Sequence, residues 1–297
     1  MSYGDIDSIL NGGLDAPVHQ VEQTETELPE ALRNEMLGRV PPFAQSMIQT
    51  IDEVDVYCQN RGEMGGMDWG FENLNDAFQG LNAGVHLIAG QSNIGKSAIC
   101  MQLAWQIAMA NQMPTPERPQ KAFVLFFSLD DSMNELLPRF VAIDQKMPIN
   151  AVRFPKKFGD DVRLMEKRSN GFTKLKDSVM HISMRDVNHG SSIEYIEKTV
   201  DEYVTQLKMI DPAYQIVVFI DNFHDVTVDA PGYTESNTKF EHIADALSRL
   251  CAKYDCPMVC TAEFRKLNGN RRPVLDDIKE SGKIVLLQHL QGVIPVE

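Results

Sequence analysis

Five short runs of consecutive apolar residues recur along the chain, at residues 85–89, 122–128, 179–183, 216–221 and 257–262. Runs that are apolar at every position, rather than at alternate ones, belong to strands buried on both faces of a parallel sheet. Between them the period changes from two to 3.6. Ile193, Ile196, Val200, Val204 and Leu207 share one face of the segment 192–210. Phe240, Ile243, Ala244, Leu247, Leu250 and Cys251 share one face of 237–254,. Two further helices are predicted over 96–111 and 134–145. Strand alternating with helix through most of the chain predicts a doubly wound α/β domain, whose ligands sit at the carboxyl ends of its strands.

The amino-terminal region follows neither pattern. Residues 1–28 are acidic and aperiodic, and the first 32 residues carry seven acids and no Lys or Arg. They read as a mobile tail. Residues 29–66 read as a helical arm and a Gly-rich linker. One apolar pattern has Leu32, Met36 and Leu37, a second has Met47, Ile48, Ile51 and Val54, and Pro41-Pro42 separates them,. Residues 67–297 are left for the α/β domain. No apolar run approaches the roughly 20 residues of a membrane span, and a secretory leader would begin basic, so a cytoplasmic protein with no membrane partner is expected. The five cysteines, at 58, 100, 251, 256 and 260, are odd in number and lack CxxC spacing. Cys256 and Cys260, which bracket an apolar run, are expected to be small core residues in a reducing compartment. A formal charge of −14 argues against coating nucleic acid with the whole surface and leaves room for a local basic groove,.

The chemistry starts directly after the first apolar run. Gly90-Gln91-Ser92-Asn93-Ile94-Gly95-Lys96-Ser97 is a complete G-x-x-x-x-G-K-S between a strand and a helix. Its glycines let backbone N–H groups wrap phosphates, Lys96 reaches the β- and γ-phosphates, and the Ser97 hydroxyl ligates Mg²⁺. ATP and Mg²⁺ are therefore the expected cofactors. A P-loop needs a second acid at the end of another strand to position the metal, and Asp221 ends the run Gln215 to Asp221. Hydrolysis needs a carboxylate to polarise water. Asp130 and Asp131 both follow the strand after the P-loop helix, with Asp130 preferred; the alternative is that Asp131 or Ser132 N-caps the next helix, a reading that for Asp131 weighs equally with function. His224 is either a polar sensor or a structural hydrogen-bonding residue, and His86, inside the first strand, a core histidine.

With these motifs on the page the chain resembles the ATPase domain of DnaB-type replicative helicases, a branch of the RecA-like P-loop fold. The resemblance runs from Trp69-Gly70-Phe71 through the P-loop, Ser128-Leu129-Asp130-Asp131-Ser132, Ile220-Asp221-Asn222-Phe223-His224-Asp225-Val226 and Thr261-Ala262-Glu263-Phe264-Arg265-Lys266 to Asp277-Ile278-Lys279-Glu280-Ser281-Gly282. It implies an ATP hydrolase and DNA helicase: a homo-oligomeric ring, usually a hexamer, with ATP between subunits, single-stranded DNA in the channel, and a primase or loader as a further partner. On it Asp130 stands where the family has its catalytic acid, usually Glu. Glu263 stands where the family often has a nucleotide-sensing Gln, and completes a catalytic set with Asp130 and Lys96. The basic segment that lines the channel in the family supplies Arg265, Lys266, Arg271, Arg272 and Lys279 as DNA contacts. A second basic stretch, Arg153 to Lys176, carries eight Lys/Arg interleaved with Phe154, Phe158 and Phe172. It is read first as a solvated helix-loop with core anchors.

In the family, later strands carry basic residues that reach the neighbouring subunit's γ-phosphate. Here no Lys or Arg follows Lys283, so an atypical or truncated carboxyl end is expected. Two other functions stay open at this point. One is a RecA-like ATPase of recombination or regulatory type that binds DNA without unwinding it. The other is a nucleotide-binding assembly protein impaired in hydrolysis.

Overall fold

The computed structural model describes residues 42–60, 65–115, 118–232, 236–265, 274, 277–278 and 290–296. The acidic tail, the pattern of Leu32, Met36 and Leu37, and Lys266, Arg271, Arg272, Lys279 and Lys283 lie outside the described residues. The chain divides into two units, Met1–Asn60 and Arg61–Glu297.

In the first unit, helix α1 (Pro42–Asn60) starts at the second proline of the Pro-Pro pair. Proline suits a first helical turn, where its missing N–H would have no partner. Met47, Ile51 and Val54, three of the four residues of the predicted apolar face, are each more than half exposed, and Ile48 is partly buried.

The second unit is a three-layer α/β domain. Its elements are α2 (Glu72–Phe78), β1 (Gly84–Gly90), α3 (Lys96–Ala110), β2 (Lys121–Ser128), α4 (Met133–Gln145), α5 (Ile149–Arg153) and α6 (Val162–Asp177). They continue with β3 (Ile182–Arg185), α7 (Ile193–Ile210), β4 (Tyr214–Asp221), α8 (Ser236–Tyr254), β5 (Pro257–Glu263) and β6 (Leu290–Val296). The sheet runs β3-β2-β4-β5-β1-β6. Every neighbouring pair is parallel. This is the RecA-like arrangement expected of the sequence, with β6 added beyond the predicted strands.

Alternate residues of each strand feed opposite cores, which is why the strands read as continuous apolar runs. Val85, Leu87, Phe123, Leu125, Phe127, Ile216, Val218 and Ile220 pack with Ile196, Val200, Ile243 and Leu247 of α7 and α8. Ile88, Val124, Phe126, Val217, Phe219 and Val259 pack with Met101, Ala104 and Trp105 of α3 and Phe140 of α4. Cys256 and Cys260 are free and fully buried in the first of these cores. His86 is a core residue as expected: its Nε2–H donates to the Asn82 carbonyl at 2.9 Å, and burial lowers its pKa.

The third strand departs from its prediction. It spans Ile182–Arg185 instead of residues 179–183, because the turn that ends α6 takes the intervening residues. Ser178 Oγ donates to Lys174 O at 2.7 Å, and the N–H groups of His181 and Ile182 donate to Ser178 O. Val179 and Met180 are left exposed. The basic stretch from Arg153 to Lys176 is likewise resolved into the end of α5, a short 3₁₀ turn and α6. Phe158 and Phe172 pack on Val141, Met147, Ala151 and Val152, while Phe154 is half exposed. A Cβ on Gly171 would lie 2.7 Å from Val141 Cγ1, so a glycine is what lets α6 approach α4 this closely.

Candidate active site

The strand order sets the carboxyl ends of β2, β4, β5 and β1 side by side. Register pairs Ser128 with Asp221, and Gly90 with Glu263. The P-loop leaves β1 at Gly90 and enters α3 at Lys96. Two of its residues have left-handed backbones, Asn93 at φ +63° and Gly95 at φ +101°. At Gly95 a Cβ would meet nothing within 4 Å, so the backbone angle, rather than space, calls for glycine,. The first turn of α3 has no acid and no side-chain cap. Its N–H groups and the positive end of the helix therefore suit an anion.

Lys96 is 7% exposed. Its ammonium donates to the Gln91 carbonyl at 2.8 Å and lies 3.8 Å from Glu263 Oε1. Asp221 is also 7% exposed. Its Oδ1 accepts from Thr261 Oγ1 at 2.6 Å. Parallel neighbours at the same level of a sheet present side chains to the same face, which brings these two together. The Ser97 hydroxyl lies near enough to Asp221 to favour its charged form. Burial raises its carboxyl from the ordinary value and the Asp131 charge adds to the rise, while Thr261, Ser97 and Lys96 oppose it. A buried carboxylate near the P-loop hydroxyl is a donor set that fits Mg²⁺, a hard cation held by oxygen ligands.

The adjacent acids separate clearly. Arg139 of α4 forks onto both Asp131 oxygens, Nη2 reaching Oδ1 at 3.2 Å. Neither Asp131 nor Ser132 caps α4 with its side chain, contrary to the capping alternative. Instead the Met133 N–H donates to Asp186 Oδ2 at 2.9 Å, an acid just past the end of β3. Asp130, two residues past the end of β2, is exposed. Its charge reaches Asp225, whose carboxyl burial raises and whose rise Asp130, Asp221 and Glu263 reinforce.

His224 takes the structural option, its Nε2 accepting the Glu263 N–H at 3.1 Å. Of the basic segment, Arg265 is exposed and its N–H donates to Asp277 O at 2.6 Å, next to the bridge between Phe264 and Ile278. Thr261, Arg139, Asp186 and Asp225 were not foreseen as parts of this edge. Only Thr261 carried a signal, as a hydroxyl within an otherwise apolar strand.

A family model, the DnaB-like helicase C-terminal domain, matches residues 66–286. A probable replicative DNA helicase of Trieres chinensis is 22% identical over 285 residues, 93% of this chain and 56% of that protein. The replicative DNA helicase DnaB of Leifsonia xyli is 19% identical over 268 residues, 89% of this chain and 54% of that protein. The chain thus spans about half the length of these curated relatives. Among solved structures, an ATPase domain superposes with a TM-score of 0.66 at 18% identity, covering 83% of this chain and 80% of that one. A DnaB-like replicative helicase described with its interactions with primase gives 0.65 at 18% identity, covering 81% and 53%. At these identities the superpositions speak for the fold.

Proposed function

This chain belongs to the DnaB-like helicase C-terminal domain family, and we propose that it is the ATP-driven motor of a DnaB-type DNA helicase, a homohexameric ring moving along single-stranded DNA in the cytoplasm. The observation that carries the proposal is the buried Asp221, hydrogen-bonded to Thr261 and under the influence of Lys96 and Ser97 of the P-loop. The loop Gly90 to Ser97 wraps the phosphates with its N–H groups, and Lys96 brings positive charge to the terminal phosphate. Ser97 and Asp221 would hold Mg²⁺, whose charge would offset that of the phosphates. Asp130 orients the attacking water and takes its proton, a role that Asp131, committed to Arg139, is poorly placed to share,. Glu263 sits where the state of the terminal phosphate is felt. No helix among the described residues is long and apolar enough to cross a membrane. A primase or loader is a further proposed partner, and one structural neighbour is described with its interactions with primase.

Unwinding of a forked duplex, measured with ATP hydrolysis on the same preparation, tests this reading. Hydrolysis without unwinding would return the recombination or regulatory type of ATPase, and binding without hydrolysis the assembly protein.

The proposed DNA contacts are Arg265, Lys266, Arg271, Arg272 and Lys279. Replacing Arg271 and Arg272 together with Ala is expected to weaken single-stranded DNA binding and flatten its salt dependence by up to about 0.7 log units per lost phosphate contact. An unaltered slope in a titration from low to high salt would move the contact elsewhere, with the stretch from Arg153 to Lys176 next to test.

Assembly gives another expectation. The exposed Met47, Ile51 and Val54 of α1 form an apolar stripe on a helix that would be marginal alone in water,. Docking of this arm on a neighbouring subunit would cover the stripe. Deleting residues 1–60 should then lower the oligomer mass seen by light scattering while ATP binding persists; a truncated chain that still forms the full ring would refute the swapped arm.

A further inference from the structure

We propose that Glu263 is a built-in counter-ion for Lys96 that the terminal phosphate of ATP must displace, so that Glu263 sets how strongly the site prefers a nucleoside triphosphate to a diphosphate. The inference rests on the ATP-site reading above and goes beyond it by assigning a specificity role to one carboxylate.

An ammonium drawn out of water needs partners, and Lys96 is 7% exposed,. The Glu263 carboxylate lies 3.8 Å from its Nζ, on the strand next to the one that enters the P-loop. Lys96 is also the group that a P-loop directs to the β- and γ-phosphates. Carboxylate and terminal phosphate therefore compete for one cation. A glutamine at the same place would carry no charge to compete with.

The surroundings favour departure of the side chain once a phosphate arrives. The backbone is held: the Glu263 N–H donates to His224 Nε2 at 3.1 Å, and the following Phe264 N–H to Gly90 O at 3.0 Å. Only the side chain is left to swing, and at 21% exposure it has a path to solvent. Its electrostatic neighbourhood is already negative, since the charges of Asp130, Asp221 and Glu263 all act on Asp225. A terminal phosphate at Lys96 would add negative charge to this cluster and neutralise the attraction that keeps Glu263 in place. A diphosphate, which offers Lys96 its β-phosphate alone, brings less negative charge to it and leaves more of the pair intact. The cost of breaking it thus falls more heavily on ATP than on ADP.

The test is calorimetric titration of the full chain with Mg²⁺ and either ADP or an ATP analogue with a non-hydrolysable β–γ imido bridge. Wild type, E263Q, E263A and K96A are compared, and thermal unfolding of each checks the fold. E263Q and E263A are expected to bind the triphosphate analogue about fivefold more tightly, the scale of a partly exposed ion pair, and ADP within twofold of wild type. Tightening of both nucleotides by the same factor would overturn the proposal, since it would show a diffuse charge effect. Weaker triphosphate binding would overturn it as well, by showing that the carboxylate serves the metal's water shell instead. Unchanged affinities would dismiss the counter-ion while leaving the ATP site standing. If wild type bound neither nucleotide, or K96A bound as wild type does, the ATP-site reading itself would fall.

Discussion

Lys96→Ala is expected to abolish nucleotide-driven work, with hydrolysis falling by two to three orders of magnitude, about the loss seen when a single preorganised charge donor is removed from a transition state. The physical reason is in the burial. Lys96 is 7% exposed, and its charge acts on the buried Asp221. The fold should survive, because α3 is anchored by Met101, Leu103, Ala104, Trp105 and Ile107 rather than by its first residue. Steady-state hydrolysis and nucleotide titration of the purified variant check this, and wild-type turnover in Lys96→Ala would sink the assignment of the P-loop.

The second large effect separates two neighbouring acids. Asp130→Asn should spare ATP binding and suppress hydrolysis by roughly 10²- to 10⁴-fold, the usual contribution of a general base, because the amide keeps the shape and loses the proton acceptor. Asp131→Asn should act differently. It breaks the fork from Arg139, which also approaches Glu135, and so loosens the start of α4 with a smaller effect on turnover. Single-turnover hydrolysis and thermal unfolding, run on both variants, distinguish the outcomes. A large loss of turnover in Asp131→Asn, with Asp130→Asn near wild type, would reverse the proposed roles.

The parts of the site that the sequence made legible are those built from consecutive residues. The P-loop runs unbroken from the end of β1 into α3, and Asp221 closes an apolar strand, so each motif carries its own strand, turn or helix context. Four of the long helices and four of the strands could be placed for the same reason: their apolar periods reflect burial on one helical stripe or on both faces of a sheet. β6 was missed because Gly292 and Pro295 argue against a strand. Proline is tolerated there since β6 lies at the sheet edge and pairs only with β1,. The start of β3 was misplaced because the Ser178 turn consumes residues whose apolar character alone suggests a strand.

What the sequence by itself determined is the α/β class, the anion-binding loop and the acid that faces it, all of which follow from local pattern and from the chemistry of adjacent residues. The tertiary structure alone decided which partner each charge takes. Thr261 meets Asp221 across 40 positions of chain, Glu263 meets Lys96 across the β1–β5 pair, and Asp186 reaches Met133 from the end of β3. Those pairings depend on strand order and register, which bring distant residues to the same edge of the sheet, and short-range periodicity carries no information about which strand lies beside which.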